Sequence, residues 1–194
     1  MSFFSNLAFY PTLMWNAMLN WVLGDGWPWF SKIDDLVILG AIPYKNMVQN
    51  LIDEFKVGGV VCLNESYEMS HEWVATYKDW RAAGVDYCWI PTGDFIYAPP
   101  VNEVSRAISF IRKFEGSGRT VYVHCKAGRT RSATVVACYL INKHGWNADE
   151  TVAHLQDKRR QVVLRTAHWE TVRKFAQESS QWQSVLGSPD VVLT

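Results

Sequence analysis

The residues best suited to catalysis lie together between His124 and Ser132, in the run His-Cys-Lys-Ala-Gly-Arg-Thr-Arg-Ser. An apolar strand pattern precedes this run, and a helix pattern begins near Arg131. A loop in front of a helix can surround an anion, because the first N–H groups of the helix are unpaired and its dipole is positive at that end. Gly128 permits a positive φ angle and a close approach of the backbone to a ligand. The sequence therefore predicts a binding site for a tetrahedral phosphate dianion.

The same electrostatic field favours a reactive thiolate at Cys125. Helix amino termini and nearby cations lower a cysteine pKa from about 8.5 to roughly 3.5–7.5, so we expect Cys125 to be ionised at neutral pH. Arg131 can hold two phosphate oxygens with its planar guanidinium, and the Ser132 hydroxyl can stabilise the thiolate. A buried structural cysteine is the alternative, but it would leave Lys126, Arg129 and Arg131 clustered without an anion.

The other residues of the run support the phosphate site in this hypothesis. His124 is expected to organise the loop through hydrogen bonds rather than to exchange protons. The loop residues expected to contact the substrate are Lys126, Ala127, Gly128, Arg129, Thr130 and Ser132.

Additional cations favour a substrate with more than one phosphate group. Lys126 and Arg129 lie in the loop itself. Arg159, Arg160 and Arg165 could extend a basic rim toward a membrane surface, although the first two could equally be charges at a helix carboxyl terminus.

Phosphoryl transfer through a cysteine also needs a proton donor, because an alkoxide is a poor leaving group. Asp94 is the preferred candidate, since it lies in the loop of residues 91–97, just beyond a predicted strand. A general acid contributes about 10²- to 10⁴-fold to a rate. The alternative is an aspartate that only forms a turn after Gly93. This chemistry requires no metal ion and no cofactor.

The elements that must position these residues alternate along the chain. Buried strands are predicted at residues 36–39, 60–63, 87–90 and 120–124. Helices are predicted to begin at Asn46, Ser70, Pro99, Ser132, Asn147 and Thr166. Strands separated by helices favour an α/β fold with a central, mostly parallel sheet flanked by helices, and ligands are expected beyond the carboxyl ends of the strands.

Length and composition limit the function classes. The 194 residues carry 19 basic and 19 acidic side chains, so the surplus of positive charge that nucleic-acid binding needs is missing. If the protein binds an anion specifically, the positive charge that recognises it must be concentrated at one site. The four cysteines lack metal-ligand or disulfide-scaffold spacing, which fits a reducing compartment. The sequence does not indicate an oligomeric state.

Residues 1–31 differ from the rest of the chain, with many aromatic residues, no Lys or Arg, and Asp25 as their acidic residue. They predict an amphipathic helix whose uncharged stripe contains Thr12, Asn16 and Asn20. This helix could dock on the core or lie at a membrane interface, whereas a full membrane span is not favoured. Neither a secretory signal nor an arginine-rich transit peptide is indicated. We expect a phosphatase domain at 32–184 and a loosely structured tail at 185–194.

The cysteine and the arginine, separated by five residues and flanked by His124 and Ser132, resemble the signature of the cysteine-dependent protein tyrosine phosphatases. Over most of the chain, the similarity is to the mitochondrial dual-specificity phosphatases that convert phosphatidylglycerophosphate to phosphatidylglycerol in cardiolipin synthesis. The segments that carry this similarity are Val121 to Ala137, Val37 to Gly40, Asn64 to Glu68 and Phe9 to Leu13.

The resemblance implies further roles. Asp94 takes the position of the general acid, and Glu65, Tyr67 and Glu68 match an acidic segment that supports the phosphate loop, where Ser66 departs from the family pattern. A solvated loop is the alternative for this segment. His168 stands where the family more often has a glutamine that positions water, and could substitute for it. The implied location is the matrix side of the inner mitochondrial membrane.

Three functions remain open at this stage. The preferred one is metal-independent hydrolysis of phosphatidylglycerophosphate at a membrane surface through a cysteinyl-phosphate intermediate. The second is a phosphoinositide or phosphoprotein phosphatase with the same fold. The third is a weakly catalytic module that binds phosphorylated ligands, which would have no need for the nucleophile Cys125.

Overall fold

A computed structural model of the protein describes the backbone of residues 3–94 and 96–186. In this part of the chain, five strands form one sheet in the order β1-β2-β5-β3-β4. Their bounds are β1 Phe30–Lys32, β2 Val37–Gly40, β3 Val57–Cys62, β4 Asp86–Trp89 and β5 Thr120–His124. Strands β2 to β5 pair in parallel and β1 is antiparallel to β2, so the predicted mostly parallel sheet is confirmed.

Helices cover both faces of the sheet. Their bounds are α1 Phe3–Leu23, α2 Val48–Asp53, α3 Tyr77–Ala82, α4 Val101–Arg112, α5 Arg131–His144, α6 Ala148–Lys158 and α7 Thr166–Leu186. Alternate residues of each strand enter two cores, because successive side chains of a strand point to opposite faces. Val37, Leu39, Val121 and Val123 pack with α4 to α7. Ile38, Val60, Cys62 and Tyr122 pack with α2 and α3.

Most predicted elements are confirmed, and the main error is the helix predicted from Ser70. Residues 70–76 are not helical, and Val74 forms a bridge with Tyr44. Helix α3 begins only at Tyr77, because the Thr76 side chain caps it together with Asp79. Helix α2 also begins later than predicted, because a 3₁₀ turn at Lys45–Met47 precedes it, whereas the prediction had it begin at residue 46.

The predicted amino-terminal helix is present as α1, and one side of it docks on the domain. Leu13 is buried in a cluster with Trp29, Ile42 and Val74. On the exposed side lie Met14, Trp15, Met18, Trp21 and Val22. The side chains of Thr12 and Asn16 lie outside the described residues. None of the helices in the described part of the chain is long and apolar enough to cross a membrane.

Both predicted domain limits fall inside secondary-structure elements. The limit at residue 31 falls inside β1, which pairs along its length with β2. Helix α7 continues to Leu186, so the beginning of the predicted tail is helical, and residues 187–194 lie outside the described residues.

Candidate active site

A pocket lies where the carboxyl ends of the parallel strands meet the amino end of α5, as expected for an open α/β sheet. Cys125 directly follows β5, and Asp94 lies in the loop after β4. The residues that line the pocket are Pro11, Trp15, Asp94, Cys125, Lys126, Ala127, Arg129, Thr130, Arg131, Val163, Arg165 and His168. The structure therefore brings together the three residues predicted to be catalytic and most of the predicted loop contacts.

Cys125 lies at the base of this pocket and is 3% exposed. The Ser132 hydroxyl donates a hydrogen bond to its Sγ over 3.2 Å. Burial raises the pKa of Cys125, but the charge of Arg131 and hydrogen bonds from the Ser132 side chain and backbone outweigh it, so the net pKa lies below its ordinary value. The group is therefore disposed to act as a thiolate.

Gly128 allows the loop to fold. Its φ is +65°, and an added Cβ would lie 2.4 Å from the carbonyl oxygen of Gly40 at the end of β2. Only glycine fits both constraints, because an L side chain strains at this φ and would collide with backbone.

Arg131 is 1% exposed and forms an ion pair with Glu68. Its two terminal nitrogens donate to the Glu68 carboxylate, with distances of 2.7 Å to Oε2 and 3.0 Å to Oε1. Nη1 also donates to the carbonyls of Leu63 at 3.3 Å and Thr92 at 2.9 Å. A two-point ion pair with Glu68 thus fixes the orientation of the Arg131 guanidinium.

The acidic segment predicted to support the loop does so through Glu68 in particular, which is 0% exposed. Glu65 contributes its backbone N–H, which donates to Glu68 Oε2 over 2.9 Å. Tyr67 is half-buried, and burial together with the charges of Glu68 and Glu65 raises its pKa to about 12. The solvated-loop alternative does not describe Glu68.

Asp94 faces the phosphate site and forms ion pairs with two of its cations. Its carboxylate lies 3.2 Å from Arg131 Nη2 and also contacts Lys126 Nζ. Lys126 is 5% exposed and Asp94 is half-buried, so this pair is not a loose surface contact. An aspartate that only forms a turn would not reach these cations.

The cations expected to recognise extra phosphate groups have protein partners. Lys126 pairs with Asp94, as described above. Arg129 donates from Nε to the carbonyl of Gln161 over 3.0 Å, and its guanidinium lies 5.4 Å from the ring centre of Trp27. Arg129 and Arg165 both line the pocket. Arg165 is exposed, as is Arg160, which was also expected at the rim but does not line the pocket.

The two histidines near the loop, His124 and His168, are both buried. His124 is fully buried, and this burial lowers its pKa to about 3. Its ring centre lies 5.8 Å from that of Tyr122, and the role expected for His124 in organising the loop stays a prediction. His168 lies in the pocket wall, where burial and the charges of Arg131 and Arg165 lower its pKa to about 4.

Sequence reasoning missed the burial of Arg159. It was expected at a basic rim or as a charge at a helix carboxyl terminus. It does directly follow α6, but it is 2% exposed and lies behind the loop of residues 126–129. No spacing rule indicates that an arginine following a helix turns into the protein.

Comparison with known protein families identifies the family to which the chain belongs. The dual specificity phosphatase catalytic domain matches residues 43–178, which is more than half of the chain. The chain therefore belongs to the dual-specificity phosphatase family, and it is a cysteine-dependent phosphatase.

Individual relatives and a solved structure are similar to the chain over most of its length. The chain is 37% identical over 175 residues to phosphatidylglycerophosphatase and protein-tyrosine phosphatase 1 of Mus musculus, which covers 90% of each chain. It is 35% identical over 188 residues to phosphatidylglycerophosphate phosphatase PTPMT2 of Arabidopsis thaliana, which covers 97% of this chain and 78% of the relative. The crystal structure of PTPMT1 in complex with PI(5)P matches with a TM-score of 0.77 and 35% identity, over 80% of this chain and 99% of that one.

Proposed function

We propose that this phosphatase hydrolyses phosphatidylglycerophosphate to phosphatidylglycerol through a cysteinyl-phosphate intermediate. The observation that carries the proposal is the arrangement of Cys125 at the amino end of α5, with the braced guanidinium of Arg131 beside it and the Asp94 carboxylate 3.2 Å from Arg131 Nη2. A nucleophile, an anion-binding group and a proton donor thereby converge on one pocket.

In the first step, Cys125 Sγ attacks phosphorus in line with the ester oxygen. The S–P bond forms as the P–O ester bond breaks, and protonated Asp94 gives its proton to the departing alcohol. Arg131 and the N–H groups of the loop bind the equatorial phosphate oxygens, whose charge they stabilise in the transition state.

In the second step, water hydrolyses the cysteinyl phosphate. Asp94, now ionised, takes a proton from the water as its oxygen attacks phosphorus, and the S–P bond breaks to release orthophosphate. The Ser132 hydroxyl stabilises the departing thiolate through its hydrogen bond to Sγ. His168, neutral at pH 7, lies in the pocket wall where it can orient the water. No step requires a metal ion or a cofactor.

The substrate assignment follows from the relatives and the basic pocket. The mouse and Arabidopsis relatives are named as phosphatases of this lipid. Arg129 and Arg165 line the pocket beside Arg131, which suits a headgroup with a second phosphate. Because one relative was solved with PI(5)P, a phosphoinositide is the second candidate substrate, and phosphoproteins are the third.

A substrate panel distinguishes these candidates. Phosphate release from phosphatidylglycerophosphate, PI(5)P and a phosphotyrosine peptide is measured at matched concentration. We expect the highest kcat/KM for phosphatidylglycerophosphate, and a higher value for either other substrate contradicts the assignment.

Catalysis itself is tested with a soluble substrate. Wild-type protein should hydrolyse p-nitrophenyl phosphate, and Cys125→Ser should not, because a serine hydroxyl is not ionised in this field. If neither protein turns over the substrate but both bind orthovanadate, the chain is a phospho-ligand binding module instead.

We further propose that the enzyme acts at a membrane surface, with the exposed apolar side of α1 next to the pocket mouth. Pro11 and Trp15 of α1 line the pocket, which supports this orientation. By family resemblance, the membrane is the inner mitochondrial membrane and the enzyme is on its matrix side. Fractionation of mitochondria with protease protection tests the location, and recovery outside mitochondria contradicts it.

A further inference from the structure

A buried guanidinium lies behind the loop that follows β5. Arg159, the residue after α6, is 2% exposed although it is charged. Five oxygen atoms accept hydrogen bonds from it: Gly128 O at 2.8 Å, Ala127 O at 3.3 Å, Pro28 O at 3.0 Å, Trp29 O at 3.4 Å and Ser31 Oγ at 3.2 Å. Five N–H donors are the full complement of an arginine, so each has an acceptor here.

Two of these bonds fix the orientation of peptide groups in the loop. Nε of Arg159 holds the carbonyl of Gly128, and Nη2 holds that of Ala127. In a trans peptide the carbonyl and the following N–H point in opposite directions. Because both carbonyls point back toward Arg159, the N–H groups of Gly128 and Arg129 point to the opposite side, toward the pocket.

The flanking peptide groups are held in the same way by backbone donors. The Ile42 N–H donates to Lys126 O over 3.2 Å, and the Val163 N–H donates to Arg129 O over 3.0 Å. Four consecutive carbonyls, those of residues 126–129, thus accept hydrogen bonds from protein donors. Within the part of the chain that the structure describes, none of the N–H groups of residues 127–130 donates to a protein acceptor. These donors are therefore available to an anion.

We propose that Arg159 is a positioning residue for phosphate binding, which aims the N–H groups of Gly128 and Arg129 at the substrate by holding the preceding carbonyls away from it. The inference rests on the proposed function of this loop as the phosphate site. Arg159 itself does not line the pocket, so it acts through the backbone rather than through contact with the substrate.

Arginine suits this position better than other cations. A lysine is a compact charge that cannot hold two carbonyls and the amino-terminal segment at fixed angles. Burial lowers the pKa of Arg159 to about 10, partly offset by the charges of Tyr122 and Cys125, so the side chain remains protonated at neutral pH. Its charge therefore also favours the Cys125 thiolate.

The test compares Arg159→Met and Arg159→Lys with Arg160→Met. Arg160 is the exposed neighbour, and its substitution removes the same charge without touching the loop. For p-nitrophenyl phosphate, we expect kcat/KM to fall at least about 100-fold in Arg159→Met, since loss of one oxyanion donor costs 10²–10³ in rate. Arg159→Lys should give an intermediate loss, and Arg160→Met should remain close to wild type.

Two further readouts separate positioning from a general loss of structure. A smaller fraction of folded enzyme would lower kcat but would leave KM and the pH profile unchanged. Misdirected N–H groups should instead raise KM, weaken orthovanadate binding, and move the alkylation of Cys125 to higher pH. If folded Arg159→Lys matches Arg160→Met in all three measurements, the proposal is wrong.

A measurement on the wild type covers the case in which the variants do not fold. Orthovanadate should shift the ¹⁵N–¹H signals of residues 127–130 more than those of neighbouring residues, and unchanged signals with bound vanadate would contradict the inward orientation. The proposed function fails by a different result, namely wild-type protein that does not hydrolyse p-nitrophenyl phosphate.

Discussion

At the scale of single residues, the state of Cys125 depends on a balance between burial and its neighbours. Burial raises its pKa, whereas Arg131 and Ser132 lower it by a larger amount. The other three cysteines are also buried, and burial raises their pKa, to about 12 for Cys62. Alkylation of the native protein should therefore select Cys125.

Substitution Ser132→Ala should raise the pKa of Cys125, because it removes a hydrogen bond to the thiolate. A hydrogen bond to a charged group contributes about 1.5–3 kcal/mol, which corresponds to about one to two pKa units. Since the thiolate is the reactive form, the iodoacetamide rate profile should move to higher pH by that amount. Ser105→Ala, at an exposed position of α4, is the control. An unchanged profile in Ser132→Ala would show that the hydroxyl does not stabilise the thiolate.

Asp94→Asn should slow hydrolysis of an alkyl phosphate far more than that of an aryl phosphate. A poor leaving group needs the proton that Asp94 supplies, so the alkyl rate should fall about 10²- to 10⁴-fold. The aryl leaving group is stable as an anion and should lose less. Asp86→Asn, at an exposed ion pair with Arg81, is the control. Equal slowing of both substrates would assign the acid role to another residue.

The sequence revealed the nucleophile because its chemistry is local. Cys125, Gly128 and Arg131 lie within one loop whose strand and helix neighbours are evident from their apolar patterns. The contacts of Arg159 with Pro28 and Ala127 join segments that are distant along the chain, and no periodicity encodes them. Glu68 was found only through family resemblance for the same reason.

At the scale of secondary-structure elements, the connection after β3 supports the amino end of α5. Glu68 reaches Arg131 with both carboxylate oxygens, and both side chains are almost fully buried. Removal of one partner from a buried ion pair destabilises a protein, because the other charge stays buried without compensation.

Glu68→Gln should therefore destabilise the domain by about 3–5 kcal/mol, measured by chemical denaturation, and should also lower activity by freeing the Arg131 guanidinium. Glu65→Gln is the matched control, because Glu65 reaches this network through its backbone N–H, which the substitution retains. Similar losses in both variants would mean that the segment acts as a loop and not through the Glu68 carboxylate.

Element boundaries were predictable where a continuous apolar run marks a buried strand, and not where side-chain contacts override the pattern. The apolar run at residues 120–124 gave β5 with both ends correct. The spacing of Trp73, Tyr77 and Trp80 imitates a helix face, but the Thr76 cap and the bridge at Val74 divide that segment. Strand β1 was not predicted, because three residues at a sheet edge are too few to display an alternating pattern.

At the scale of the whole molecule, a neutral chain has an apolar surface beside its active site. The formal net charge is zero, and α1 contains no charged residue. The exposed side of α1 includes Trp21, which is 85% exposed, while Trp15 on the same helix lines the pocket. Such a surface can bind a bilayer interface through apolar burial rather than through attraction to anionic lipids.

Binding to lipid vesicles should accordingly be insensitive to salt. Raising the salt from about 0.1 to about 1 M shortens the Debye length from about 10 to about 3 Å, which would abolish attraction by a basic patch but would leave apolar burial intact.

Trp21→Glu should weaken vesicle binding at least about tenfold, since burial of a large apolar side chain contributes about 1.5–3 kcal/mol. Hydrolysis of p-nitrophenyl phosphate should not change, whereas hydrolysis of lipid in vesicles should fall. Tyr77→Glu introduces the same charge at an exposed aromatic residue of α3 and should leave vesicle binding intact. Binding that disappears at high salt, or that both variants weaken equally, would assign membrane contact to a surface other than α1.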